Sequence, residues 1–137
     1  RLWVATHTRF FESEMYSYSY DKEEDKLTAV SHYNLPSKVQ GVAFDDNGSI
    51  YLSTSYGRNN SSYLKVYSSL LALDKKPNEP KVKVEMPPCS EEVAIADDMV
   101  FVLFESASAK YFEGTDGMGK SPAPIDKLLE VSVASIW

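Results

Sequence analysis

Short runs of alternating or continuous apolar residues follow one another along the chain, separated by turn-forming Gly, Pro, Asn and Asp. The runs are rich in Val, Ile, Tyr, Phe and Thr, which favour strands. They predict ten strands, over 2–6, 15–20, 27–33, 39–44, 50–54, 63–67, 82–86, 93–96, 99–104 and 128–136. The one helix predicted, over 68–73, is short and ends before Pro77. The pattern therefore predicts an all-β chain.

One stretch of this pattern recurs. Trp3, Tyr51 and Phe101 begin three similar tetrapeptides, WVAT, YLST and FVLF, which lie 48 and 50 residues apart. In the strand that follows, Glu14 and Ser62 take equivalent positions in this alignment. A repeat of this length is typical of one blade of a β-propeller. The sequence thus predicts about three consecutive four-stranded antiparallel blades, over about 1–36, 37–87 and 88–137, with the first and last incomplete.

Ten strands are too few for a closed ring, since propellers use about four to eight four-stranded blades. The alternative is a small ten-stranded sandwich in which the repeat is coincidental. In the propeller interpretation, the first blade lacks an inner strand and the last lacks an outer strand. We expect these edges to be covered by further blades of a longer chain or by association of copies.

The best-formed repeat begins at Gly41. It runs Gly-Val-Ala-Phe-Asp-Asp-Asn-Gly-Ser-Ile-Tyr-Leu-Ser-Thr and continues with Asn59, Asn60 and Tyr-Leu-Lys-Val-Tyr. This segment resembles the NHL and gluconolactonase/strictosidine-synthase-like propeller repeat, which has a similar Gly-Ile-Ala-x-Asp-x-x-Gly-x-Ile-Tyr-Val-Ala-Asp pattern. The resemblance implies a propeller scaffold but no fixed chemistry.

The lactonase-like members of that group imply a divalent cation held by Asp, Glu and Asn in the central channel. Here the second strands end in Thr6, Thr54 and Phe104, where such repeats often have Asp. We find no set of four acidic or amide residues at matching blade positions. The sequence therefore predicts no metal site and no cofactor.

The charge balance changes the list of partners. Acidic residues outnumber basic ones by 20 to 14, and the formal net charge of −6 opposes binding to nucleic acid. No run approaches the roughly 18 apolar residues of a membrane span. An extracellular or periplasmic location is favoured, and Asn47, Asn59 and Asn60 match the Asn-x-Ser pattern of glycan acceptors in a eukaryotic secretory pathway.

Catalysis by a triad is not expected. The repeat places His7, Ser55 and Glu105 at equivalent positions of successive blades, but neighbouring sheets pack about 10 Å apart, too far for the hydrogen bonds that a triad needs. Cys89 lies in a turn and has no neighbouring histidine in the sequence, so we expect a packed small residue. No catalytic residue is predicted.

The candidate binding residues lie in loops on one face of the predicted blades. Tyr56, Arg58, Asn59 and Asn60 combine an aromatic ring, a guanidinium and two amides that suit an anion or a sugar hydroxyl. The alternative is a polar turn whose Asn side chains bond their own backbone. We expect the long Gly- and Pro-containing segment 106–126 on the same face. His7 and Glu105 complete the predicted ligand-binding set.

These observations favour a noncatalytic propeller segment that binds a small molecule, a carbohydrate or a protein. One alternative is part of a metal-dependent lactonase or hydrolase-type propeller whose active-site groups lie partly outside this chain. A third hypothesis is an interaction module whose edge strands pair with another chain.

Overall fold

Ten β-strands and three short helices make up the structure, a computed structural model that describes residues 1–137. In chain order they are β1 (Leu2–Ala5), β2 (Ser13–Asp21), β3 (Lys26–Leu35), β4 (Val39–Phe44), β5 (Ile50–Thr54), β6 (Ser62–Tyr67), α1 (Leu70–Lys75), β7 (Val82–Met86), β8 (Ser90–Ala96), β9 (Met99–Phe104), α2 (Ala109–Phe112), β10 (Leu129–Ser132) and α3 (Val133–Ile136). The all-β prediction is confirmed.

The strands form three antiparallel sheets in which every strand pairs with its neighbour in the sequence. The first sheet holds β1–β3, the middle sheet β4–β7 and the third sheet β8–β10. Each sheet lies within one of the three predicted segments. The sheets do not close into a ring, so the propeller interpretation stays a prediction.

The middle sheet is covered on both faces, and all five residues of β5 are buried. Side chains alternate between the two faces of a strand, so Ile50 and Leu52 pack towards the first sheet, whereas Tyr51 packs towards the third. The core between the first and middle sheets contains Met15, Leu35, Val39, Ile50, Leu52, Tyr67 and Leu73. The core between the middle and third sheets contains Ala43, Tyr51, Leu64, Val66, Met86, Val93, Val100, Val102, Phe104 and Ile136.

The middle and third sheets approach each other closely at Gly41. A Cβ atom added there would lie 2.7 Å from the backbone nitrogen of Val93 and 2.9 Å from the carbonyl oxygen of Glu91. Only a residue without a side chain allows β4 and β8 to come this near. A side chain at position 41 would therefore push β4 and β8 apart.

The same backbone geometry occurs where β4 and β8 begin. Lys38 and Cys89 both have a left-handed φ of +67°, and both strands then shift register against their partner. The carbonyl oxygen of Lys38 accepts a hydrogen bond from the backbone of Ser55 at 2.9 Å, and that of Cys89 accepts one from Glu105 at 3.0 Å. Ser55 and Glu105 thus have equivalent backbone positions.

The predicted equivalence of Glu14 and Ser62 is wrong by one residue. Trp3 lies opposite Ser17 and Tyr51 opposite Val66, so the residue that matches Ser62 is Ser13. Both Ser13 and Ser62 are fully buried. A shift of one residue exchanges the faces of a strand, which explains why Glu14 is exposed.

The predicted strand 128–136 is only partly correct. β10 ends at Ser132, and the chain then forms α3, whose Ile136 is buried in the core between the middle and third sheets. The indole nitrogen of Trp137 donates a hydrogen bond to the hydroxyl of Tyr51 at 3.0 Å. Val133 and Ile136 are three residues apart, a spacing that also suits one face of a helix.

The helix predicted over 68–73 is present as α1, two residues further along. Ser69 caps it, because its hydroxyl accepts a hydrogen bond from the backbone of Ala72 at 3.1 Å. Leu73 anchors the helix in the core next to the first sheet. None of the helices has the length and apolar character needed to cross a membrane.

Candidate functional site

A cleft of about 410 Å³ lies at the end of the sheets where β1, β5 and β9 finish. All six predicted ligand-binding residues line it: His7, Tyr56, Arg58, Asn59, Asn60 and Glu105. They meet because the loops that follow equivalent strands of stacked sheets emerge at the same end. Whether they bind a ligand stays a prediction.

The ring of Tyr56 lies against Arg9, which the sequence did not predict to be part of the site. The guanidinium carbon of Arg9 is 4.6 Å from the centre of the Tyr56 ring, and the ammonium of Lys38 is 5.8 Å from it. A cation at this distance is attracted by the face of the ring. Arg9 therefore occupies one face of Tyr56 that a sugar ring would otherwise stack upon.

Arg58 is engaged within the protein. Its Nη2 lies 2.5 Å from Oδ2 of Asp116 and its Nη1 lies 3.2 Å from Oδ1, a bidentate ion pair. Nη1 also donates to the carbonyl oxygen of Gly119, and the guanidinium carbon is 4.7 Å from the centre of the Tyr111 ring. The hydrogen bond from Arg58 lowers the pKa of Asp116.

This pairing ties segment 106–126 to the loop that follows β5, so the two lie on the same side of the molecule, as expected. It also changes the role expected of Arg58. A guanidinium that already bonds a carboxylate and a carbonyl has few donors left for a ligand. Its anion-binding role stays a prediction, whereas its contact with Asp116 is observed.

His7 presents one free ring nitrogen. Its Nδ1 lies 3.0 Å from the carbonyl oxygen of Val39, and a carbonyl can only accept, so Nδ1 carries the proton. In the neutral ring, Nε2 is then free to accept a hydrogen bond. His7 is thus suited to hold a hydroxyl group in the cleft.

Glu105 brings a second carboxyl group to the cleft wall. Burial, together with the neighbouring Glu105, raises the pKa of Glu91 to about 7. Burial and Glu105 also raise the pKa of Tyr111, while Lys110 opposes this effect. The Glu91 carboxyl therefore titrates near neutral pH rather than in its ordinary acidic range.

The raised pKa of Glu91 makes the stability of the protein depend on pH. In the unfolded chain Glu91 ionises near its ordinary pKa of 4.5, whereas in the folded chain it ionises near about 7. Ionisation therefore favours the unfolded chain, and stability falls as pH rises through this interval. We expect Glu91→Gln to stabilise the protein by about 1 kcal/mol at about pH 8, since partial exposure screens the effect. Urea unfolding measures it.

At about pH 5 the same substitution should change stability little, because Glu91 is then protonated in the folded chain. Glu24→Gln, in the exposed turn between β2 and β3, is the matched control and should show no such pH dependence. A gain for Glu91→Gln that is equal at both pH values would contradict the prediction.

The nucleophiles near the cleft are occupied by structural contacts. The hydroxyl of Ser55 accepts a hydrogen bond from that of Ser62 at 3.1 Å, and burial raises the pKa of Cys89. Cys89 lies with its sulfur 3.9 Å from the carbonyl oxygen of Gly57. No group of three or more His, Cys, Asp or Glu side chains is placed to hold a metal ion.

A buried chain of serines below the cleft joins the middle and third sheets. The hydroxyls of Ser53 and Ser90 lie 2.7 Å apart, and the backbone of Ser90 donates to the hydroxyl of Ser62 at 3.0 Å. These bonds satisfy polar groups that would otherwise be costly to bury. Nothing in the alternating sequence pattern distinguishes these serines from ordinary strand residues.

Sequence reasoning missed several residues of the cleft. Lys110, Tyr111 and Asp116 line it and belong to segment 106–126, whose position was predicted but whose individual residues were not. Gln40 lines it as well, at the register shift of β4. Only the length of the segment signalled a role for its residues.

Comparison of the chain with known protein families, curated proteins and solved structures gives no match. The fold itself is that of an all-β protein with three stacked antiparallel sheets.

Proposed function

We propose that this chain is a propeller-type scaffold that binds a polyhydroxyl ligand, such as a carbohydrate, in the cleft without transforming it. The observation that carries the proposal is the convergence of loops from all three sheets on one cleft with a mostly polar lining. Sites of this kind use a few placed polar groups to orient a ligand.

The propeller part of the proposal is supported by the repeated backbone. Lys38 and Cys89 share their left-handed conformation, and Ser55 and Glu105 share the hydrogen bond that follows from it. The middle sheet is buried between its neighbours on both faces, as blades of a propeller are. A sandwich of two sheets has no such internal sheet.

The balance of charge in the cleft favours a neutral ligand. Arg58 is neutralised by Asp116, and the remaining cations, Arg9 and Lys110, share the lining with Glu105. A site with both signs of charge and free amides can donate to and accept from the hydroxyls of one molecule. A strongly anionic ligand would meet Glu105 unfavourably.

Asn59 is the residue best placed to test this. The side chain of Asn60 donates a hydrogen bond to the carbonyl oxygen of Tyr56 at 2.8 Å, so it partly serves the turn. Asn59 lines the cleft and its amide bonds no other group of the protein. Its two donors and one acceptor group are thus available to a ligand.

The experiment is calorimetric titration with a panel of neutral mono- and disaccharides. For a sugar that binds, Asn59→Ala should weaken the affinity by about tenfold, the value of one lost hydrogen bond. Asn47→Ala, in the exposed turn between β4 and β5, is the matched control and should leave the affinity unchanged.

Two results would overturn the proposal. The first is that no sugar of the panel binds, and the second is that Asn59→Ala and Glu105→Gln bind a sugar as tightly as the parent chain. A large rise in melting temperature with calcium, zinc or magnesium would instead favour the metal-dependent lactonase or hydrolase alternative.

A further inference from the structure

A second pocket, of about 230 Å³, lies beside the cleft and contains three lysines. Lys38 comes from the residue before β4, Lys65 from β6 and Lys83 from β7. Tyr56 and Asn60 line both this pocket and the cleft. We call the smaller site the lysine pocket.

Strand pairing forces two of these lysines together. Lys65 lies directly opposite Lys83 in the antiparallel pair of β6 and β7. Like charges at opposed positions of a sheet destabilise it. The left-handed turn at Lys38 adds a third cation to the same pocket.

The protein supplies little to offset these charges. None of the three ion pairs in the structure includes Lys38, Lys65 or Lys83. The ammonium of Lys83 lies 4.0 Å from the centre of the Tyr63 ring, which offsets part of its charge. Burial and the two neighbouring lysines lower the pKa of Lys65.

The carboxylate of Glu85, on the same strand as Lys83, bonds a serine rather than a lysine. Glu85 follows Lys83 by two residues on β7, and its Oε1 accepts a hydrogen bond from the hydroxyl of Ser61 at 2.6 Å. The three lysines of the pocket thus form no ion pair, although the chain carries a net charge of −6. A bound anion would relieve their mutual repulsion.

The rest of the lining adds one further donor for a small oxyanion. Ser37 brings a hydroxyl group beside the lysines, whereas the hydroxyls of Thr54 and Ser61 already donate to the carbonyl oxygen of Tyr63 and to Glu85. Ammonium and hydroxyl donors are groups that hold phosphate or sulfate in proteins. The lysine pocket also has more than enough volume for one such group.

We propose that the lysine pocket binds a tetrahedral oxyanion, phosphate or sulfate, either free or as an ester group of a larger ligand. Lys65 and Lys83 hold it from the sheet, and Lys38 closes the site from the turn. The site adjoins the cleft and shares Tyr56 and Asn60 with it, but its three lysines do not line the cleft, and the proposal does not rest on the function proposed for the cleft.

The test is titration of the 137-residue chain with inorganic phosphate in a buffer of chloride salts. Calorimetry measures the affinity, and the rise in melting temperature with phosphate provides a second measure of binding. We expect Lys65→Gln and Lys83→Gln each to weaken phosphate binding at least about tenfold. Lys22→Gln, in the exposed turn between β2 and β3, is the matched control and should bind as the parent does.

Separate titrations with sulfate, with a sugar phosphate and with the same sugar without its phosphate distinguish the sources of the anion. Tighter binding of the sugar phosphate than of inorganic phosphate supports an ester ligand, and the reverse supports a free ion. Asn59→Ala should leave the binding of inorganic phosphate unchanged, so failure in the cleft and failure in the lysine pocket are distinguishable.

The unliganded variants provide a second readout. Without phosphate, Lys65→Gln should melt no lower than the parent chain, because it removes a repulsion. The proposal is overturned if neither phosphate, sulfate nor the sugar phosphate binds. It is also overturned if Lys65→Gln and Lys83→Gln retain the parent's affinity at equal ionic strength.

Discussion

Gly41→Ala should lower the free energy of unfolding by about 3 kcal/mol, since a methyl group has no room where β4 meets β8. The added carbon would lie 2.7 Å from the backbone nitrogen of Val93 and 2.9 Å from the carbonyl oxygen of Glu91. Both are main-chain atoms, so relief requires the two sheets to separate. Urea unfolding monitored by circular dichroism measures the loss.

Gly48→Asn serves as the control for this substitution. Gly48 has a left-handed φ of +82° in the turn between β4 and β5, and nothing lies within 4 Å of an added carbon. Asn tolerates this conformation, so the cost should be about 1 kcal/mol or less. A loss for Gly41→Ala below about 0.5 kcal/mol would show that β4 and β8 are not in close contact.

Leu52→Ala should destabilise the protein by about 3 kcal/mol, the usual cost of removing a fully buried leucine. Leu52 has no exposed surface and lies in the core between the first and middle sheets with Met15 and Leu35. Its removal loses apolar contacts and leaves a cavity between the first and middle sheets. The midpoint of urea unfolding reports the change.

The same substitution on α1 gives the comparison. Leu71 is 61% exposed, so Leu71→Ala should change stability by no more than about 0.5 kcal/mol. Equal losses for Leu52→Ala and Leu71→Ala would contradict the observation that the first sheet covers the middle one.

The strands were predictable where turn residues mark their ends. β4, β5, β7 and β9 have the predicted bounds, and Gly48 and Pro87 are among the residues that delimit them. The end of the chain was not predictable in this way. Val133 and Ile136 suit either a strand or a helix, and in the structure they lie in α3, from which Ile136 is buried in the core between the middle and third sheets.

The cleft was predictable only as a set of loops. The repeat brought His7, Ser55 and Glu105 to one end of the sheets, because equivalent strands of stacked sheets end together. The partner of Arg58 could not be foreseen. Asp116 lies in a segment without periodic pattern, so its position depends on how the whole segment folds.

The lysine pocket was even less predictable from the sequence than the cleft. Lys65 and Lys83 are separated in the sequence by α1 and its flanking turns, and only the pairing of β6 with β7 opposes them. The turn at Lys38 comes from another part of the middle sheet. A sequence pattern assigns each lysine to a strand or a turn, but strand register determines which cations become neighbours.

The hydrogen bonds from Ser55 to Lys38 and from Glu105 to Cys89 use main-chain atoms only. Any amino acid other than proline can make such a bond as the donor, so the joint between strand and turn places little demand on the side chain. Glu105 is only partly buried, so other residues can replace it while the sheets stay stacked, whereas the buried Ser55 must stay small and accept the hydrogen bond from Ser62. At the position of Glu105, a residue of the cleft lining can therefore change without loss of the main-chain bond that joins strand and turn.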